Sequence, residues 1–127
     1  MAVKTFYIGR SAYRTFIIKD SAGMAIDHAN ITDIEVVLTI DETQVMQFTK
    51  TTPKAGYTEL VEEADAGTYS MKITSADSLK FPPSENGMYM EIWRKYPLAE
   101  MPTEGLRLIS KVKLYDKVLE SEYQKNR

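Results

Sequence analysis

The side chains of this 127-residue chain that could do chemistry are few and poorly grouped. Its single histidine, His28, lies in the turn-like stretch Ile26-Asp27-His28-Ala29-Asn30, and nothing nearby in sequence supplies a nucleophile for it to activate. A hydrogen-bonded loop histidine is the plainer reading, since a general base must sit within reach of the proton it takes. Cysteine is absent, which removes thiolate nucleophiles, disulfides and cysteine-ligated zinc. Glu59, Glu62, Glu63 and Asp65 gather oxygen donors of the kind that hold Ca²⁺. Their spacing follows no calcium-loop template and no glycine lies among them, so a solvated strand edge is expected instead. Glu91 shares a strand face with Tyr89 and Trp93, but glycoside hydrolysis would need a second carboxylate across a cleft. The serines fit no nucleophile elbow, and there is no phosphate loop, dinucleotide fingerprint or RNA-binding aromatic motif. No catalytic, cofactor-binding or metal-ligating residue is assigned, and no cofactor is expected.

Aromatic residues offer a different chemistry, that of contact. Trp93, Tyr89, Tyr96, Tyr7, Tyr13 and Tyr57 combine apolar area with a polar tip, as sugar-binding and protein-docking surfaces do. Core packing is the plainer reading for Trp93 and Tyr69. Phe6, Tyr7 and Ile8 form an apolar segment ahead of the first well-defined strand and must pack somewhere; an arm added to a neighbour's sheet edge is one solution. At the other end Tyr115, Val118, Leu119, Glu122 and Tyr123 follow three-and-four spacing, which predicts a short C-terminal helix or a tail that orders on contact. Partner binding is therefore assigned to Phe6, Tyr7, Ile8, Leu119 and Tyr123.

The elements that must position these groups read as strands. In Asp65-Ala66-Gly67-Thr68-Tyr69-Ser70-Met71-Lys72-Ile73-Thr74 a tight turn runs into a segment that sets Tyr69, Met71 and Ile73 on one face and Thr68, Ser70, Lys72 and Thr74 on the other. Such alternation belongs to a sheet with one dry face and one wet face. Arg14 to Lys19 is a first strong strand, closed by the turn Asp20-Ser21-Ala22-Gly23. Ile34, Val36, Leu38 and Ile40 give a central strand, with Val45 to Lys50 as its hairpin partner. Tyr57 to Glu62 reads as an edge whose glutamates discourage unwanted pairing. Thr74-Ser75-Ala76-Asp77 matches a capping box and predicts a helical turn near 75–80, with Leu79 and Phe81 folded back as a plug. Met88 to Lys95 is apolar on both faces, and Leu106, Leu108, Ser110, Val112 and Leu114 make the last alternating face. All five prolines fall between these segments.

About seven strands without cysteine favour an all-β, immunoglobulin-like antiparallel β-sandwich over a closed barrel, which periodicity leaves open. The expected division is an N-terminal arm over 1–12, a sandwich over 13–115 and a tail or short helix over 116–127. One domain of this size buries roughly two-thirds of its unfolded surface. Lys plus Arg total 16 against 18 Asp plus Glu, so the net charge of -2 offers no broad attraction to nucleic acid or anionic membrane. The N-terminal residues have no apolar core of signal-peptide length, and no run approaches a membrane span.

From Arg14 onward the chain resembles the N-terminal domain of bacteriophage baseplate upper proteins and related tail modules. The likeness is carried, in order, by Phe16-Ile17-Ile18-Lys19-Asp20, Gly23-Met24-Ala25-Ile26-Asp27, Ile34 to Ile40, Asp65-Ala66-Gly67-Thr68-Tyr69 and Gly87-Met88-Tyr89-Met90-Glu91-Ile92, across roughly residues 14 to 115. Asp-x-Gly-x-Tyr also resembles the tyrosine corner of immunoglobulin domains, although two strands follow it here where one follows there. The resemblance implies a non-enzymatic structural component of a phage virion, made in the host bacterial cytoplasm and docked in a symmetric oligomeric assembly. Its partners would be other virion proteins or copies of itself, with no nucleic acid and no membrane. The alternative is a carbohydrate- or protein-binding adhesion module built on Trp93 and the nearby tyrosines.

Overall fold

The computed structural model describes residues 4–50, 55–96 and 105–120. Within them the chain forms β1 (Thr5–Ile8), β2 (Ala12–Ile17), β3 (Asp33–Ile40), β4 (Thr43–Thr49), β5 (Tyr57–Glu59), β6 (Val61–Glu62), β7 (Thr68–Ile73), a helical turn α1 (Ser75–Ser78), β8 (Met88–Tyr96), β9 (Gly105–Tyr115) and β10 (Lys117–Glu120). Five strands join in the order β5-β4-β3-β8-β9, three in the order β2-β7-β6, and β1 pairs with β10. The alternation that defines β3 and β7 drives the layering. Ile34, Val36, Leu38 and Ile40 from the larger sheet meet Phe16, Ile18, Tyr69, Met71 and Ile73 from the smaller one in a single buried cluster. The fold is thus an all-β sandwich of a five-stranded and a three-stranded sheet. Two pairings, β1 with β10 and β4 with β5, are parallel.

Ten described strands replace the expected seven for two physical reasons. The predicted edge Tyr57 to Glu62 is cut in two at Leu60, which is buried and donates its N–H to the Thr49 carbonyl at 2.9 Å. The chain thereby leaves the larger sheet as β5 and enters the smaller sheet as β6. The other two additions come from the termini. Residues 117–120 form a strand where three-and-four spacing predicts a helix, because Thr5, Phe6, Tyr7 and Ile8 pair in register with Lys117, Val118, Leu119 and Glu120. Backbone pairing across the seam outweighs the weak propensity of a four-residue helical stretch. Tyr123 lies outside the described residues.

Local signals place the connections. Thr74 caps α1, its hydroxyl accepting from the Asp77 N–H at 3.1 Å while the Asp77 carboxylate accepts from the Thr74 N–H at 3.1 Å. Phe81 is buried as a plug, but Leu79 is exposed, since a helix of one turn carries it past the core. Gly67 opens β7 with φ 67°, and a Cβ there would lie 2.6 Å from the Ile18 carbonyl oxygen, so only glycine fits the turn. The β3–β4 hairpin turns on Asp41 and Glu42, at φ 51° and 66°. Both central residues are left-handed, the geometry of a type I′ turn, which ordinarily takes Asn-Gly.

Candidate functional site

Three surfaces compete for function: the two chain ends, the outward face of the larger sheet, and the free edges of the sandwich. The chain ends depart most from expectation. Phe6 and Ile8 are buried in the core of their own chain, where the Phe6 ring centroid lies 5.7 Å from that of Phe81 and 5.2 Å from that of Tyr115. Tyr7 faces outward, and Leu119 opposite it is partly covered. Residues 5–8 are therefore a strand paired with residues 117–120 and do not form a detached arm. Asp116 ties that seam twice, donating its N–H to the Lys4 carbonyl at 2.7 Å and accepting from the Lys4 N–H through its carboxylate at 2.9 Å. Ser84 adds a bridge, exchanging backbone hydrogen bonds with Val118 at 2.7 and 2.8 Å. Apolar side chains at alternate positions are satisfied here within one chain.

The outward face of the larger sheet carries the aromatic candidates. Registers set Tyr89 beside Thr39 and Lys113, Glu91 beside Val37 and Lys111, and Trp93 beside Glu35 and Leu108. Trp93 is half-buried and its Nε1 donates to the Glu91 carboxylate at 3.1 Å, while Lys111 pairs with the other Glu91 oxygen at 3.6 Å. Lys111 and Lys113 both lie over the Tyr89 ring, 5.7 and 5.8 Å from its centroid. One end of this face opens into a cleft of about 670 Å³ lined by Thr39, Asp41, Glu42, Glu85, Asn86, Tyr89, Lys111 and Lys113. Asp41 is fixed within it, its carboxylate accepting from the Asn86 side-chain amide at 3.0 Å and the Ser84 hydroxyl at 2.9 Å. The Asn86 bond, then the Ser84 bond, hold the Asp41 carboxyl below the usual carboxylate range. It stays ionised at neutral pH, the opposite of what a general acid needs. The cleft can offer hydrogen bonds to a polar ligand.

His28 is a part-buried loop residue. Its Nε2 hydrogen-bonds the Glu63 carbonyl at 2.8 Å, and its ring meets Tyr69 edge-on at 4.8 Å. Burial pushes the Tyr69 phenol far above its ordinary value, with the Glu62 charge adding to the effect. The four carboxylates singled out as a calcium candidate do not converge. Glu63 instead accepts from the Tyr13 hydroxyl at 2.5 Å and the Ser70 hydroxyl at 2.9 Å, bonds that in that order hold its carboxyl below the usual range. Among the described residues no group of three or more His, Asp or Glu is arranged to hold a metal ion.

The edge strand β9 carries a signal that sequence patterning misplaces. Leu106 pairs with Lys95 and Leu108 with Trp93, on the outward face, whereas Ser110 pairs with Ile92 and Val112 with Met90, on the inward face. A bulge between them inserts one residue and reverses the sidedness, so the apparent single alternating face is two half-faces. Leu106, Leu108, Ile109 and Val112 are consequently exposed, which is four of the ten large exposed apolar side chains among the described residues. The same strand holds Arg107, Lys111 and Lys113 with no acid. Counting charges strand by strand would have found it: the opposite rim, 57–65, has Glu59, Glu62, Glu63 and Asp65 with no base.

No family model, no curated protein and no solved structure matches this chain.

Proposed function

We propose that this domain is a non-enzymatic docking subunit of a phage or phage-like particle, held to its neighbours through the rims of its sandwich. The observation that carries the docking reading is β9, an eleven-residue edge strand with four exposed apolar side chains. Long apolar edges invite another strand, and proteins that stay apart shorten or cover them. A virion setting and a symmetric assembly are supported by the ordered motif pieces between residues 14 and 115, which resemble those of baseplate upper proteins. The protein would be made in the host bacterial cytoplasm and act in the virion. The joining groups favoured are Leu106, Leu108, Ile109 and Val112 in place of the buried Phe6 and Ile8, with the exposed Tyr7 and the partly covered Leu119 left as seam residues.

A second reading has its own observation: Trp93, Glu91 and Tyr89 lie in a row beside the cleft on the outward sheet face, as in a sugar- or peptide-binding module. One pair of measurements separates the two readings. The docking reading expects the purified protein to form oligomers in solution, or to be cross-linked to neighbours within particles through β9. A strictly monomeric protein, absent from particles and binding an oligosaccharide in a manner lost on Trp93→Ala, would replace docking with recognition.

A further inference from the structure

The β9 edge of the larger sheet and the opposite border of the sandwich, made by β5 of the larger sheet and β6 of the smaller, are complementary in charge, direction and facing. β4, β5 and β8 run one way and β3 and β9 the other, since β3 is antiparallel to β4 and β8, β4 is parallel to β5, and β8 is antiparallel to β9. A copy displaced sideways along the sheet would thus bring its β5 alongside β9 in antiparallel sense, the more stable ladder. Four inter-strand spacings separate the two rims, about 19 Å, so they stand on opposite sides of the domain and cannot meet within one chain. Among the described residues β9 pairs only with β8, and β5 only with β4.

Side-chain facing follows the same correspondence. Lys111 and Lys113 share the outward face of β9 with Leu108, and Glu59 points outward with its register partner Thr49. Arg107 stands opposite Arg94 on the inward side, and Glu62 stands opposite Tyr69, whose ring is in the core, so these two turn toward the gap between the sheets. The β9 edge therefore carries Lys111 and Lys113 outward and Arg107 inward, while on the other side Glu59 faces outward on β5 and Glu62 faces inward on β6, the adjoining edge of the smaller sheet. Apolar surface accompanies the β9 edge through Leu106, Leu108, Ile109 and Val112. Pairing β9 with a second β9 would instead set Arg107, Lys111 and Lys113 against themselves, a like-charge arrangement that costs stability.

We infer that the partner of β9 is the acidic β5–β6 rim of a second copy of this chain, in a head-to-tail contact that extends the larger sheet from one subunit into the next. The inference rests on the docking reading and names its partner. A contact between two different patches closes into a ring or runs on as a filament, according to the rotation per subunit.

The test exchanges the charges on the full-length chain. Arg107→Glu with Lys113→Glu gives one variant and Glu59→Lys with Glu62→Lys the other; Lys111 is spared because it pairs with Glu91. Sedimentation over a range of concentration and salt should show wild-type oligomers that weaken as salt rises. Each variant alone should raise the apparent Kd by roughly tenfold or more, since like charges then face each other. Mixing the two variants, or placing all four changes in one chain, should restore association. Should either variant fail to fold by circular dichroism, Arg107→Gln with Lys113→Gln and Glu59→Gln with Glu62→Gln replace them; each alone should weaken association, and mixing the two should restore one wild-type contact and so give dimers in place of longer assemblies. Wild-type oligomers that ignore the exchange would overturn the head-to-tail contact and leave docking in place. A monomeric wild type cross-linked in particles to a different protein would do the same. A monomer with no particle neighbour at all would remove both.

Discussion

The β1–β10 seam and the β9 edge are built from similar material and meet opposite fates. Both are strands with apolar residues at alternate positions, and both lie at the border of the sandwich. In the seam, Phe6, Ile8 and Val118 are buried and β1 and β10 pair with each other, so most of the apolar area is spent within the chain and Tyr7 alone is left exposed. In β9 the inward-facing Val112 stays 42% exposed, and the outward face carries Leu108 at 45%. Apolar content does not by itself mark a joint. What marks one is apolar area on a strand whose other side has no partner.

The contrast predicts a graded series of effects. Phe6→Ala should cost the largest amount, about 3–5 kcal/mol of unfolding free energy in urea, because it empties a well-packed aromatic site. Tyr7→Ala, one residue away and outward-facing, should stay within about 0.5 kcal/mol. Equal losses at the two positions would mean that the seam is not ordered as described. Next comes the hairpin between the regions: Glu42→Gly should gain about 1 kcal/mol, since glycine takes the left-handed φ of 66° without a Cβ penalty. A loss there would show that the Glu42 side chain contributes more than its backbone costs.

Acid should loosen the seam before it changes β9. The Asp41 carboxyl is held low by Asn86 and Ser84, and Ser84 bridges to Val118. A carboxyl depressed in the folded state contributes stability that is fully present above its ordinary range and is lost as pH falls through its folded value. The thermal midpoint should therefore drop on acidification from about pH 7 toward about pH 3, and Asp41→Asn should flatten that drop while lowering the neutral-pH midpoint. An unchanged slope would assign the acid sensitivity elsewhere, with Glu63 the first alternative. Smallest of all should be Leu108→Lys, within about 0.5 kcal/mol for the isolated domain, yet sufficient to weaken association. A large loss of stability would show that Leu108 packs within its own chain.

The sandwich was legible because β3 and β7 alternate cleanly and because Thr74 and Asp77 write a capping box that folds as expected. Strand order was not legible, since pairings such as Phe6 with Val118 span the whole chain and leave no local trace. The seam misled for the same reason: Tyr115, Val118 and Leu119 keep helical spacing, but a partner from the far terminus decides their conformation. β9 misled differently, because a bulge at Ile109 hides behind an unbroken run of apolar residues. The acidic rim was legible in Glu59 and Glu62, and its basic counterpart was equally present in Arg107 and Lys113. The two become a pair only when the sheet places them at its opposite borders.

Hydrogen exchange read as a function of protein concentration tests the central claim most directly. In dilute solution the β1 and β10 amides should be protected, while the β9 amides that point away from β8 exchange at nearly the rate of open chain. As concentration rises, protection should appear at those β9 amides and at Tyr57–Glu59, with the seam unchanged. Protection of β9 that is already complete in the dilute monomer, or that never appears on association, would contradict the account.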